Sequence, residues 1–520
     1  MSSTRPGWIA AGLAAAAVGA AAALWLGASP WRVAVALAAA LWLAASRRLP
    51  EPRATRLLAL LAVASLSQAT AVELGSFATS SWVRVWNVYH YYLGAKYFDE
   101  LGYRDLYAAT LRADREGDDY WRDVRRVRNL SSYVSEPRAA TADQYRPGEH
   151  FSDARWRQFR DDVAALRGQR SPRRWRGIFL DRGYNPSPLW TVVGGGLATL
   201  LPARSLPALK LLCSLDLLLM AATFWALARV FGLRAASWVL LFFTLTPVND
   251  GRLVGGFLQY DWFWALAGAL CLLRRRRGVA AGALAAYAAM TRVFPLVLVA
   301  SAGIPLVVEW IRSGRLRRRE LAFFLSFGFF CAAGFGAGCL TASGVDAWKE
   351  FAGNLRHHAS EHVYGERRVG LKHVFTRDAA AVVRGESDVD PRAAFARRQG
   401  LYAAAAAVFL LAWLAAAPRR RAPDALLLGL APLYALAVSS RYYWSYLALL
   451  PLLEPEEPPR RDWPALGQVG LYGVVALYEA VRRPEPDALY LVFNLCLGVL
   501  LLGLLALYVR RDLAARSGDR

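Results

Sequence analysis

An all-α chain that crosses a membrane many times is what this sequence specifies, through its apolar content, the rhythm of its apolar runs and the placement of its arginines. Of 520 residues, 56% are apolar, and the mean hydropathy is +0.24. A water-soluble domain cannot bury that much apolar surface, whereas a bilayer accepts it as a run of helices. The formal charge of +23 would suit a nucleic-acid binder, but the cations do not form one basic face. They gather at the ends of apolar runs: Arg47 and Arg48, Arg274 to Arg277, the Arg315–Arg319 stretch, Arg419 to Arg421, Arg510 and Arg511. That is the placement of cytoplasmic anchors at an anionic inner leaflet. The cysteines lie inside apolar stretches with no C-x-x-C and no Cys/His cluster, so they read as small packing residues.

Apolar segments fall near 8–27, 31–46, 57–75, 188–203, 206–229, 235–249, 253–273, 278–291, 294–311, 321–342, 400–417, 424–440, 442–454, 464–481 and 487–509. Several are shorter than the ~20 residues of a perpendicular span, so the expectation is about 12 to 14 full spans plus one or two broken pieces. The chain divides into N-terminal spans (1–75), a first polar insertion (76–187), a membrane core (188–342), a second, basic insertion (343–399) and C-terminal spans (400–520). With the N-terminus inside, arginine placement puts both insertions on the outer face. Counting every segment of 188–273 as a span would put Arg274 to Arg277 outside. The sequence therefore predicts that a short segment, 188–203 or 235–249, does not cross and that a cavity lies beside it.

The first insertion opens with 86–103, in which Tyr91, Ala95, Phe98 and Leu101 repeat at helical spacing, with Lys96, Asp99 and Glu100 on the flank. The pattern predicts an amphipathic helix along the outer interface, tyrosine rings buried and acids at head-group height. Residues 112–176 read as short charged helices. The run from Asp181 to Trp190, with Pro186 and Pro188, returns extended into the membrane.

No phosphate-loop, dinucleotide, H-E-x-x-H or G-x-S-x-G motif is present, which leaves ATP-driven transport and soluble-nucleotide chemistry without support. An apolar N-terminus, a long external loop opening with Tyr91-Tyr92-x-x-Ala95 and a nearby acid, a return through Tyr184-Asn185-Pro-Ser-Pro-Leu and a second external loop follow in order. This layout resembles the GT-C glycosyltransferases, particularly bacterial members similar to the polyprenol-phosphate-mannose-dependent mannosyltransferases. The resemblance implies a lipid-phosphate-linked sugar donor and an acid in the first external loop that acts as base towards the acceptor hydroxyl or coordinates a metal. Asp99, Glu100 and Asp105 are the expected acids, and Asn87, His90, Tyr91, Tyr92, Tyr184 and Asn185 the expected substrate contacts. The sequence departs from the pattern at Asn87, where many related sequences carry an acid, and an asparagine cannot act as a base.

Charges inside apolar segments are costly and point to function. Gln259 and Asp261, Arg292 before a helix-breaking proline, and Arg441 leading Tyr442 are the expected membrane-side contacts, the arginines serving a phosphate. The second insertion brings His357, His358, His362, Arg367, Arg368, Lys372 and His373 together. Such a cluster reads as a phosphate contact, a solvated loop, or, through the four-residue spacing of His358 and His362, a metal pair. The expectation is thus a membrane hexosyltransferase with a polyprenyl-phosphate sugar donor, a lipid or envelope-glycan acceptor, membrane lipids as partners and no nucleic acid. No cofactor is required by the sequence, although a divalent Mg or Mn is compatible with it. The expected location is a bacterial inner membrane, with the large loops on the periplasmic face. A transporter or flippase for a lipid-linked solute and a catalytically silent scaffold are the alternatives.

Overall fold

The computed structural model describes residues 5–26, 28–79, 82–169, 172–246, 253–377, 390–453 and 462–518. It is mostly helical, with two short two-stranded ribbons. Among the described residues seven helices are long and apolar enough to cross a membrane: Trp8–Trp25, Glu51–Ala78, Leu206–Phe231, Pro295–Ser313, Arg318–Gly338, Pro391–Arg419 and Pro486–Ala515. The sequence predicts 12 to 14 full spans; five further apolar helices are shorter, at 10–17 residues. The difference arises because glycines, prolines and buried polar groups break apolar runs that look continuous in one dimension.

The long helices turn the soluble pattern inside out. On Leu206–Phe231 the buried face is Leu209, Leu212, Cys213, Asp216, Met220, Thr223 and Leu227, spaced at three and four residues. Leu211, Leu218 and Trp225 point outward. A helix whose polar residues Asp216 and Thr223 face the protein and whose outward face is apolar fits a hydrocarbon solvent. Exposed Leu325, Phe329 and Phe335 repeat the pattern on Arg318–Gly338.

The two candidates for the segment that does not cross are both 13-residue helices, Pro188–Leu200 and Leu233–Leu245. Each is about 20 Å long, well short of a ~30 Å hydrocarbon core. Beyond the second, residues 253–260 run without helix through the interior, almost entirely buried. Non-helical backbone at such a position survives only if other groups satisfy it. Here Asn87 Oδ1 accepts from Phe257 N at 2.6 Å, and the Asp216 carboxylate accepts from Gln259 N at 2.5 Å and Tyr260 N at 3.2 Å. Gly255 O lies against the first insertion, where it accepts from Arg84 N at 2.8 Å. Gly255 has φ +84°, and a Cβ there would stand 2.3 Å from Trp82 O, so only glycine fits.

The two insertions touch one another: the Tyr133 and His357 rings lie 4.5 Å apart, and Asp99 Oδ1 accepts from Ala342 N, the residue just before the second insertion, at 2.8 Å. The expected helix of 86–103 is present with two irregularities: Val85–Val88, a π turn at Tyr89–Leu93 and Gly94–Lys96 run on without a break, and Phe98–Leu101 follows after Tyr97. Lys96, expected on a solvated flank, is only 6% exposed. Its ammonium donates to Asp162 Oδ2 at 2.6 Å, which also accepts from Tyr97 OH at 2.8 Å. The helical period hid this partner because Asp162 lies 66 residues along the chain.

Candidate functional site

Between the Gly278–Thr291 and Pro295–Ser313 helices the chain breaks, and Arg292 adopts an extended backbone. Pro295 at the next helix start supplies no N–H, so the break costs little. The Arg292 side chain is driven inward and is only 6% exposed. Its Nη2 donates to Tyr91 OH and its Nη1 to Thr291 O, each at 3.0 Å. Its Nε is buried and makes no hydrogen bond, and among the described residues no carboxylate lies within ion-pair distance. A buried cation with an idle donor is expensive unless something anionic comes to it.

The surroundings are aromatic and hydroxylated. The π turn at Tyr89–Leu93 shifts the helical register and aims Tyr91 at Arg292, with its ring edge-on to Trp190 at 5.0 Å. Arg441–Leu452 forms a 3₁₀ helix, whose three-residue repeat eclipses Tyr443 and Tyr446. Both rings pack on Trp262, at 5.4 and 4.8 Å, while Tyr442 and Tyr443 stack at 4.3 Å. The fully buried Tyr446 OH has no hydrogen-bond partner. Asp261 begins the Asp261–Arg274 helix beneath this cage. It is held by Trp190 Nε1 at 3.0 Å, Tyr287 OH at 2.7 Å and Trp262 N at 2.8 Å.

Above the cage, Asp181 Oδ2 accepts from Trp86 Nε1 at 2.6 Å. Its Oδ1 makes no hydrogen bond among the described residues. The charge of Asp181 is felt by His90, Tyr91, Tyr133, His358 and Arg368, so it stands where the two insertions and the membrane core meet. The sequence placed Asp181 only at the start of the return to the membrane. The signal available was its position just before a proline-fixed segment, and nothing local distinguished it from the other acids.

The expected acids lie elsewhere. Asp99 is exposed and anchors the loop at Ala342. Glu100 is paired with Arg155 Nε at 2.5 Å, with its second oxygen buried and without a hydrogen bond. Burial pushes the Asp105 carboxyl above the usual carboxylate range, with His150 and Arg104 acting in the opposite sense. None of the three hydrogen-bonds to Arg292 or its cage.

The expected substrate contacts divide between framework and site. His90 is locked by Trp86 O at 2.8 Å and Tyr107 OH at 2.7 Å, and burial holds its imidazole below its ordinary range. Tyr92 OH donates to Leu201 O at 2.9 Å. Buried Tyr184 shares a 2.7 Å hydrogen bond with Thr191, whereas Asn185 is exposed and bonds Arg182 O at 2.9 Å. Asn87 serves Phe257, and Gln259 Oε1 accepts from Arg84 at 2.8 Å. Arg441 reaches Tyr490 OH at 3.5 Å. Tyr91, Arg292, Tyr442 and Asp261 are thus brought together, and His357 and His358 join Tyr133 above them. The His362 side chain lies outside the described residues. Among the described residues no group of three acids, histidines or cysteines is arranged to hold a metal. The chain matches no family model, no curated protein and no solved structure.

Proposed function

We propose that the chain is a membrane hexosyltransferase that uses a polyprenyl-phosphate sugar, with its site at the Arg292 cage. The observation that carries the reading is Arg292 itself, buried with no carboxylate in direct contact and with an idle Nε, within electrostatic reach of Tyr446, whose hydroxyl is also idle. Such a pair of donors suits a phosphate oxygen at membrane depth. The polyprenyl chain would lie along the apolar helices while the tyrosine cage packs the sugar ring. Asp181 takes the place of the first-insertion acid. It accepts the proton of the acceptor hydroxyl, the hydroxyl oxygen bonds to the anomeric carbon, and the bond from that carbon to the phosphate oxygen breaks. Polyprenyl phosphate leaves with its added charge facing Arg292, and a single displacement inverts the anomeric centre. The placement of the arginine clusters in the sequence supports a site towards the outer face of the membrane.

The test is transfer from radiolabelled polyprenyl-phosphate mannose and glucose to extracted envelope lipids and glycans by the purified protein. Transfer that is lost in Asp181→Asn and Arg292→Gln, with both variants folded, supports the reading. Undiminished transfer in both would remove the cage from the chemistry.

A further inference from the structure

Trp86 is unlike the other tryptophans of the first insertion. Trp82, Trp121, Trp156 and Trp175 are buried, whereas Trp86 is 46% exposed. The backbone on either side of it is pinned to the membrane core, where Arg84 N donates to Gly255 O at 2.8 Å and Asn87 Oδ1 accepts from Phe257 N at 2.6 Å. Trp86 O is taken up by His90 Nδ1 at 2.8 Å. The indole itself reaches the 177–181 segment, where its Nε1 donates to Asp181 Oδ2 at 2.6 Å. Gly177 makes room for it, since a Cβ there would stand 3.0 Å from the six-membered ring. The indole is thus held in one orientation, and among the described residues no other aromatic ring stacks on it.

More apolar surface lies open nearby. Arg128 Nε donates to Leu180 O at 2.8 Å and its Nη1 to Tyr133 O at 2.6 Å. These bonds tie the turn between strands Arg126–Arg128 and Ser135–Pro137 to the residue just before Asp181. Leu180 and Val134, both in this tied stretch, are exposed as Trp86 is. Exposed apolar surface beside a carboxylate with a free oxygen calls for a partner that is apolar on one side and hydroxylated on another.

A sugar has that form. One face of a pyranose presents C–H groups, slightly positive, to the negative face of an indole. Its hydroxyls lie at the ring edge, where a carboxylate accepts from them. Other occupants fit less well. An acyl chain would gain from the indole but would strip water from Asp181 without supplying a donor. A tryptophan that anchors a protein at the membrane interface keeps its N–H for head groups and water, and here Asp181 takes that N–H.

We propose that Trp86 is the platform for the acceptor and that the acceptor is a glycan, with a pyranose ring lying on the indole and one of its hydroxyls reaching Asp181 Oδ1. That this ring belongs to the acceptor rests on the transferase reading, in which Asp181 takes the acceptor proton and the donor sits at Arg292. The sugar chemistry of the indole and its carboxylate does not depend on that reading.

The test is binding, with no donor and no turnover. The full chain in phosphatidylcholine nanodiscs is titrated with methyl mannoside, methyl glucoside and methyl galactoside, read by saturation transfer to the sugar ring protons. Wild type is expected to bind at least one of them about tenfold more tightly than Trp86→Leu, which keeps apolar bulk but has no aromatic face. Trp86→Phe keeps a ring and is expected within about threefold of wild type. If Trp86→Leu fails to fold, hydroxyl-radical footprinting of the wild type reads the same contact, and the glycoside should lower oxidation of Trp86. Equal binding by wild type and Trp86→Leu, or equal oxidation with and without glycoside, overturns the platform. Oxidation lowered by the nanodisc lipid relative to detergent, with no further drop on adding glycoside, marks an interfacial anchor and overturns it as well. Glycoside binding in a protein that transfers no sugar would sink the transferase reading and leave the platform standing. Transfer to sugar-free lipid acceptors without glycoside binding would do the reverse.

Discussion

The first insertion and the membrane core handle buried charge in opposite ways. In the insertion every deeply buried ion has a partner. Lys96 meets Asp162 at 2.6 Å, and Asp114, with a fully buried side chain, accepts from Tyr120 N, Trp121 N and Arg138. In the core, Arg292 is equally buried and has hydroxyl and carbonyl partners but no carboxylate. Paired ions of the first kind fix one packing and close a fold. A cation of the second kind, with Asp261 acting on it only at a distance, keeps donors free for an anion that arrives from outside. The difference separates scaffold from site without any knowledge of the substrate.

The comparison breaks most visibly at the cage and the acid above it. Asp181→Asn is expected to lower the turnover of sugar transfer by roughly a hundredfold or more, the usual scale of a lost general base, with KM little changed. Arg292→Gln should raise KM for the donor and lower turnover together, as read by steady-state kinetics. In the insertion the same kind of change should act on folding. Lys96→Met leaves Asp162 buried and unpaired, at a cost of about 3–5 kcal/mol, measurable as a lowered unfolding midpoint of the detergent-purified protein.

A smaller effect tests the brace between the two regions. Asn87→Ala strands the buried Phe257 N–H and should cost about 1–3 kcal/mol, whereas Asn87→Asp keeps an acceptor and should melt close to wild type. Equal melting of the two variants would show that the 253–260 segment does not depend on this contact. Smaller still, Asp99→Asn keeps an oxygen for Ala342 N and should leave transfer within about twofold. A loss of a hundredfold there would return the base to the position the motif resemblance implies.

The last expectation concerns pH. His373 is fully buried, and burial, reinforced by Arg377 and Arg368, pushes its imidazole down to about 3, with the Val363 carbonyl acting in the opposite sense. The unfolded chain binds a proton near the ordinary histidine value of ~6.5 while the folded chain does not. Stability from this group is therefore complete above that value and is lost as pH falls towards 3. The melting temperature should drop between pH 7 and pH 5, and His373→Phe should flatten that slope.

Legibility follows the range of the interaction. Arg292 was visible in the sequence because a charge inside an apolar run before a proline is anomalous within a few residues. Arginine clusters predict one side for both insertions because they report on each apolar run in turn, whereas the Tyr133–His357 contact joins residues more than 200 positions apart and left no local signal. Asp99 is exposed, as the helical spacing predicts, but Lys96 and Glu100 were misleading because that spacing assigns a face but not what covers it. The partners of Lys96 and Glu100 come from Asp162 and Arg155, in a helix more than fifty residues away. The π turn that aims Tyr91 and the 3₁₀ repeat that pairs Tyr443 with Tyr446 depart from the period on which such a reading relies.

Composition, the rhythm of apolar runs and the end-placement of arginines determined that this chain is helical, built for a membrane and divided by two polar insertions, since the bilayer acts on each segment independently. Only the tertiary structure decided which buried charges are neutralised. It joined Asn87 to Phe257 across 170 residues and Asp181 to Trp86 across 95, because pairing depends on which distant residues packing brings within about 3 Å.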